Sequence, residues 1–156
     1  MRIAPVLALS LAGFFILSAP IGAEELEDSL SAVGDIEVIV EGIRTKEKGV
    51  LIVALFSGQE GWLELESAAA LVILPATSDT LTSTFENVPY DTSYAIQVIH
   101  DKNQNGKFDM RWFPYPKPKE GAGVSNNNLR RGPPEYDKAM FALAEPMKTL
   151  RIRLQY

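Results

Sequence analysis

From Asp101 to Asp109 the chain reads Asp-Lys-Asn-Gln-Asn-Gly-Lys-Phe-Asp, with side-chain oxygens at the first, third, fifth and ninth positions and a glycine at the sixth. Hard cations gather many oxygens at once, and alternate residues of a tight turn converge on one point when a glycine lets the backbone bend there. The pattern therefore predicts a calcium loop with Asp101, Asn103, Asn105 and Asp109 as side-chain ligands and the backbone carbonyl of Lys107 as a fifth. A helix-loop-helix calcium site would carry a bidentate Glu at the twelfth position, where this chain has Trp112. With two carboxylates in the loop, the expected affinity is that of extracellular modules, roughly 0.1–1 mM. Glu120, Glu135 or Asp137 would complete the shell. The competing expectation is a metal-free turn, because Asp and Asn side chains bond their own backbone and Asn-Gly is a common turn pair.

Three further groups could carry chemistry or binding. His100 is the only histidine. As a general base oriented by Asp101 or Asp137 it would make the chain a hydrolase; as a structural residue it would end a strand and hold the following loop. No serine sits in a nucleophile-elbow setting: Ser57 lies in Phe-Ser-Gly, and Ser125 lies beside three asparagines. Trp112, Phe113, Tyr115 and Tyr136 are either an aromatic platform for a sugar or peptide, or a satellite core that pins a long loop to a sheet. Asn126 and Asn127 could bond a ligand or turn the chain. With His100, these residues form the candidate ligand surface.

The elements that must position these residues are short strands. Residues 35–41, 80–86, 93–100 and 149–156 alternate apolar and polar side chains, as half-buried strands do. Residues 50–56 are continuously apolar and predict a central strand buried on both faces; residues 70–74 and 139–143 complete the set. Residues 101–137 form one long irregular region, and loops of that length in a compact domain are functional, metal-ordered or disordered. The aromatic residues within it argue for order. About seven strands with little helix predict an all-β antiparallel sandwich over residues 35–156, with one long ordered loop.

The chain opens with Arg2, an apolar run from Ile3 to Ala19 and a small-residue stretch ending at Ala23, followed by Glu24-Glu25. That pattern predicts a secretory signal peptide over residues 1–23 and a flexible acidic leader over 24–34, and hence a periplasmic or secreted protein without a stable membrane span. No cysteine is present, which excludes disulfides, thiolate metal sites, thiol catalysis and a lipoprotein anchor. The formal charge is −5, with 20 acidic against 15 basic residues, and Arg2 lies in the expected signal peptide. Such a domain is a poor partner for nucleic acid and a fair one for cations.

Several separated motifs resemble a bacterial secreted family, domain of unknown function 2141. They are Phe85-Glu86-Asn87-Val88-Pro89, Tyr94 to Asp101, the Asn-x-Asn-Gly loop, Pro118 to Asn127, Gly132-Pro133-Pro134 and Tyr136 to Phe141. The resemblance spans about Ile36 to Tyr156 and implies an immunoglobulin-like or transthyretin-like sandwich; it implies no activity. One departure is Tyr90-Asp91-Thr92-Ser93, where members usually carry a Pro-Gly-type turn. The expected function is an exported, non-catalytic binding or structural module of the cell envelope, with an envelope or extracellular protein or glycan as partner and calcium as its one cofactor. The alternatives are the hydrolase built on His100 and a small-ligand carrier with an internal cavity.

Overall fold

The computed structural model describes residues 32–90, 92–127 and 132–156. The expected signal peptide and nearly all of the leader lie outside the described residues. Ten strands are described: β1 (Val33–Glu41), β2 (Val50–Ser57), β3 (Ala70–Pro75), β4 (Thr80–Pro89), β5 (Ser93–Asp101), β6 (Met110–Arg111), β7 (Lys117–Pro118), β8 (Gly121–Val124), β9 (Phe141–Ala142) and β10 (Met147–Arg153). One short helix, α1, spans Tyr136–Ala139. Among the described residues no helix is long and apolar enough to cross a membrane.

The strands form two main sheets and a hairpin. One sheet has the order β10-β1-β4; the other runs β3-β2-β5-β8, with β9 also paired to β5; β6 and β7 pair with each other. The ladders are antiparallel except between β1 and β10, which run parallel from Asp35↔Met147 to Glu41↔Arg153. A wholly antiparallel arrangement was expected, so this pair corrects it. A single ladder position, Ala122↔Gln155, links β8 to the chain just after β10 and ties the two sheets together along that side.

The inward residues of both sheets meet in one apolar cluster. Ile36, Val38 and Val40 of β1, Phe85 of β4 and Ile152 of β10 pack with Leu51, Val53 and Leu55 of β2 and Ile96 and Val98 of β5. The alternation of β1 and β10 sets which side chains turn inward. The continuous apolar run of β2 has the reason expected for it. Leu51, Val53 and Leu55 face the cluster, while Ile52, Ala54 and Phe56 are buried on the opposite face of the same sheet. There Phe56 meets Trp62 edge-on at 5.0 Å, and Trp62 meets Tyr136 at 5.7 Å. A second, smaller cluster of Ala95, Val124, Tyr136, Ala139 and Trp62 covers that outer face.

Two local expectations fail for identifiable reasons. Residues 139–143 form only the two-residue strand β9, because Tyr136–Ala139 turn as a helix and bring Tyr136 and Ala139 onto the outer face of β5. Residues 121–124 carry no apolar alternation, yet they are β8. A Cβ at Gly121 would sit 2.5 Å from the Tyr156 ring and one at Gly123 2.6 Å from Ile152 Cγ2. Glycine lets this strand lie against the closing strand's side chains, a close approach that leaves no hydrophobic pattern in the sequence.

Truncating Ile152, fully buried in the main cluster, should contrast with truncating Ile73, 61% exposed on edge strand β3. Ile152→Ala should cost about 2–5 kcal/mol in a denaturant melt and Ile73→Ala within about 0.5 kcal/mol. Similar costs at both positions would overturn the assignment of the core.

Candidate functional site

Strand β5 delivers His100 and Asp101 to one end of the sheet, and the chain then turns back on itself twice. The first turn is the Asp101–Asp109 loop; the second is the β6–β7 hairpin. Both are fastened by Glu120, which is 2% exposed although it carries a carboxylate. Glu120 Oε1 accepts the amide of Lys102 at 3.0 Å and Oε2 accepts the amide of Asp109 at 3.0 Å. One side chain thus grips the loop at both ends. A buried carboxylate must be hydrogen-bonded to be tolerated, and these two amides supply that.

Inside the loop, the Asn103 and Asn105 side chains meet Asp109, while Asp101 bonds backbone amides of the same turn. Asp101, 1% exposed, accepts the amides of Asn105 (3.2 Å) and Gly106 (2.7 Å). Asn103 Nδ2 and Asn105 Nδ2 both donate to Asp109 Oδ2, at 2.8 and 3.3 Å. Asn103 Oδ1 accepts the amide of Asn105, and Asn105 Oδ1 accepts the amide of Lys107. Gly106 has φ +71°, the left-handed backbone the turn requires. The two asparagines therefore turn nitrogen, not oxygen, toward Asp109, and their N–H donors hydrogen-bond its carboxylate in this structure. Among the described residues no three His, Cys, Asp or Glu side chains gather closely enough to hold an ion. Of the three carboxylates considered for completing the shell, Glu120 is joined to the loop. Glu135 pairs with Lys138 at 2.6 Å, and Asp137 is exposed on α1.

His100 was expected on the ligand surface, and the structure corrects this: the side chain is fully buried. Its Nε2 meets the Lys48 carbonyl at 2.5 Å and its Nδ1 the Tyr156 hydroxyl at 2.7 Å. A carbonyl can only accept, so Nε2 carries the proton and donates, and in the neutral ring Nδ1 accepts from the phenol. The Tyr156 oxygen in turn accepts the amide of Arg44 at 3.0 Å. Both ring nitrogens are spent on holding the Lys48 turn and the C-terminal tyrosine, and neither meets a carboxylate or a serine. Ser125 is equally occupied, accepting the amide of Ile96 at 2.9 Å and donating to the Ala139 carbonyl at 2.6 Å.

Tyr136 also leaves the ligand surface, whereas Asn126 and Asn127 stay exposed and use their amides on backbone groups. Tyr136 is 5% exposed, packs under Trp62 and donates to the Ser93 carbonyl at 2.8 Å. Asn126 Nδ2 donates to the carbonyls of Lys138 and Met140. Asn127 accepts the Arg153 amide at 2.7 Å and donates to the Arg151 carbonyl at 2.8 Å, standing in for a strand beside β10. These amides serve the backbone because left-handed turns at 126 and 127 bring them to it. Trp112, Phe113 and Tyr115 stay outside: at the tip of the β6–β7 hairpin they are 72%, 85% and 63% exposed. They do not form the satellite core that long-loop aromatics often make.

What sequence reasoning missed is the basic floor around Tyr156. Arg44 lies over the Tyr156 ring at 4.0 Å and pairs with Glu47 at 3.4 Å, while Lys102 pairs with the same Glu47 at 2.9 Å. Hydrogen bonding from Lys102, with its charge and that of Arg44, holds the Glu47 carboxyl below its usual range. Burial pushes the Tyr156 phenol up, against the lowering effect of the Arg44 amide. These residues are far apart in sequence, and the one advance sign was the charge density of residues 44–48.

The described chain matches the model of a family of uncharacterised proteins conserved in bacteria, DUF2141, over residues 38–151. No curated protein and no solved structure matches it. The chain belongs to that family.

Tyr156 should ionise above the ordinary phenol value, read by ultraviolet absorbance of the phenolate against Tyr156→Phe. Because its folded pKa is raised, the associated stability is present below the unfolded phenol pKa and lost as pH rises through the folded one. Glu120→Gln replaces one accepting oxygen with a donor facing an amide, and should cost about 1–3 kcal/mol in a denaturant melt. A neutral result would show that the loop is fastened elsewhere.

Proposed function

We propose that this member of the DUF2141 family is an exported, non-catalytic binding module of the cell envelope, whose binding surface is the aromatic tip of the β6–β7 hairpin. The observation that carries this is the exposure of Trp112, Phe113 and Tyr115 together on a hairpin whose base is gripped by the buried Glu120. Large apolar side chains held outward on a positioned loop mark contact sites rather than core. The signal-peptide pattern of residues 1–23 supports export to the periplasm or beyond, where a glycan or protein would be met. The two-sheet packing, with the first and last strands paired in parallel, supports an immunoglobulin-like or transthyretin-like sandwich as its scaffold.

Calcium is part of this proposal as the cation that orders the loop. Asp101, Asn103, Asn105 and Asp109 already share one hydrogen-bond network, and the Lys107 carbonyl lies in the same turn. An amide oxygen has two lone pairs, so Asn103 and Asn105 can accept a backbone N–H and still serve an ion once their side chains rotate. The ion would replace two N–H donors as the partner of Asp109 and, unlike them, would neutralise its charge. The hydrolase alternative built on His100 is not favoured, since both ring nitrogens are occupied under the Lys48 turn.

Two measurements test the proposal. Millimolar calcium should raise the melting temperature over that in chelator, and Asp101→Ala should abolish the difference whatever its own baseline. No calcium shift in the unsubstituted chain would remove the metal. Trp112→Ala/Phe113→Ala/Tyr115→Ala should leave stability within about 0.5 kcal/mol per exposed site, yet lose co-sedimentation with isolated envelope polysaccharide. Undiminished co-sedimentation would sink the hairpin as the binding surface.

A further inference from the structure

A pocket of about 420 Å³ opens at the foot of the hairpin, lined by Arg44, Lys102, Arg111, Lys117, Lys119 and Tyr156. Its volume falls within the roughly 300–1,000 Å³ of small-ligand sites. Five cations around one concavity is unexpected in a chain of formal charge −5. Glu47 answers Arg44 and Lys102, whereas Arg111, Lys117 and Lys119 have no ion-pair partner among the described residues. Arg111 and Lys117 are also register partners across the β6–β7 ladder. Like charges set directly opposite each other destabilise a strand pair, and a two-residue ladder has little else to offset this. An anion between them would turn that repulsion into attraction.

We infer that this pocket is an acid-group subsite for an anionic saccharide, taking the carboxylate of a uronic-acid-type residue while a neighbouring sugar ring stacks on the aromatic tip. The inference rests on the hairpin tip being the binding surface, and it adds the chemical class of the ligand. Trp112 follows Arg111 directly in the chain, and Pro116 precedes Lys117, so platform and cations share one short hairpin. Pro114 and Pro116 restrict the tip, which lowers the ordering cost of binding. Arg44, its guanidinium carbon 4.0 Å from the Tyr156 ring centroid, offers a planar donor suited to a carboxylate. A concave ring of cations favours a discrete acidic group over a flat anionic membrane surface.

The test is a titration of the purified chain with a galacturonate oligomer, its neutral methyl ester and vesicles of anionic phospholipid, read by calorimetry and tryptophan fluorescence. The acidic oligomer should bind at least about tenfold more tightly than its ester, and added salt should narrow the gap. Arg111→Gln/Lys117→Gln should remove that advantage and leave ester binding unchanged, whereas Trp112→Ala should weaken both. Equal binding of acid and ester, or an unaffected double variant, would overturn the acid subsite while the aromatic surface survives. Vesicle binding without oligomer binding would overturn it in favour of a membrane surface, and failure of every probe would overturn subsite and saccharide together.

Discussion

The carboxylate of Glu120 is where the functional end of this molecule is joined to its scaffold. It is buried, yet it belongs to a residue type that is rarely buried without partners. Its two oxygens take the amides of Lys102 and Asp109, which are the start and finish of the loop. Everything between them is thereby closed into a ring, and the β6–β7 hairpin begins one residue after the second grip. Loss of this side chain would take the partner from two part-buried amides and free the chain that carries the aromatic tip. The grip works because Glu120 adjoins β8, which is itself laddered to β5, the strand from which the loop departs. The carboxylate closes a circuit from β5 through the loop and hairpin back to β5.

A second fastening lies beside it. His100, Tyr156, Lys48 and Arg44 form one chain of hydrogen bonds that joins the end of β5, the turn before β2 and the C-terminal residue. The cation-rich pocket rests on this chain, with the Tyr156 ring as floor under Arg44. The single histidine is thus spent on architecture. Its burial at the end of a strand that is apolar on both faces explains why a catalytic assignment finds no partner groups there.

Much of the fold was legible because it depends on periodicity. β1, β4, β5 and β10 alternate, β2 is apolar throughout, and each appears within a few residues of its expected span. A polar turn after β5 was legible too: Asn103 and Asn105 bond Asp109 there, and Asp101 accepts backbone amides of the same turn. β8 was not legible: its glycines answer to the nearness of Ile152 and Tyr156, a relation between distant segments. Nor was the parallel pairing of β1 with β10, since alternation sets which face is buried but not which neighbour a strand takes.

The fate of the candidate site residues divides along the same line. Residue type and spacing alone established that an oxygen-rich turn follows β5, that aromatic residues cluster after it, and that no thiol chemistry is available. Only the tertiary structure decided which of the polar and aromatic residues face outward. Tyr136 and Trp112 are both aromatics of one irregular region, yet one is buried beneath Trp62 and the other is 72% exposed. Asn127 is spent on the backbone of β10 because the chain happens to pass there. Local sequence sets what a side chain can bond; which partners arrive is set by segments from 11 to 112 residues away, and those distances carry no signature in a single chain.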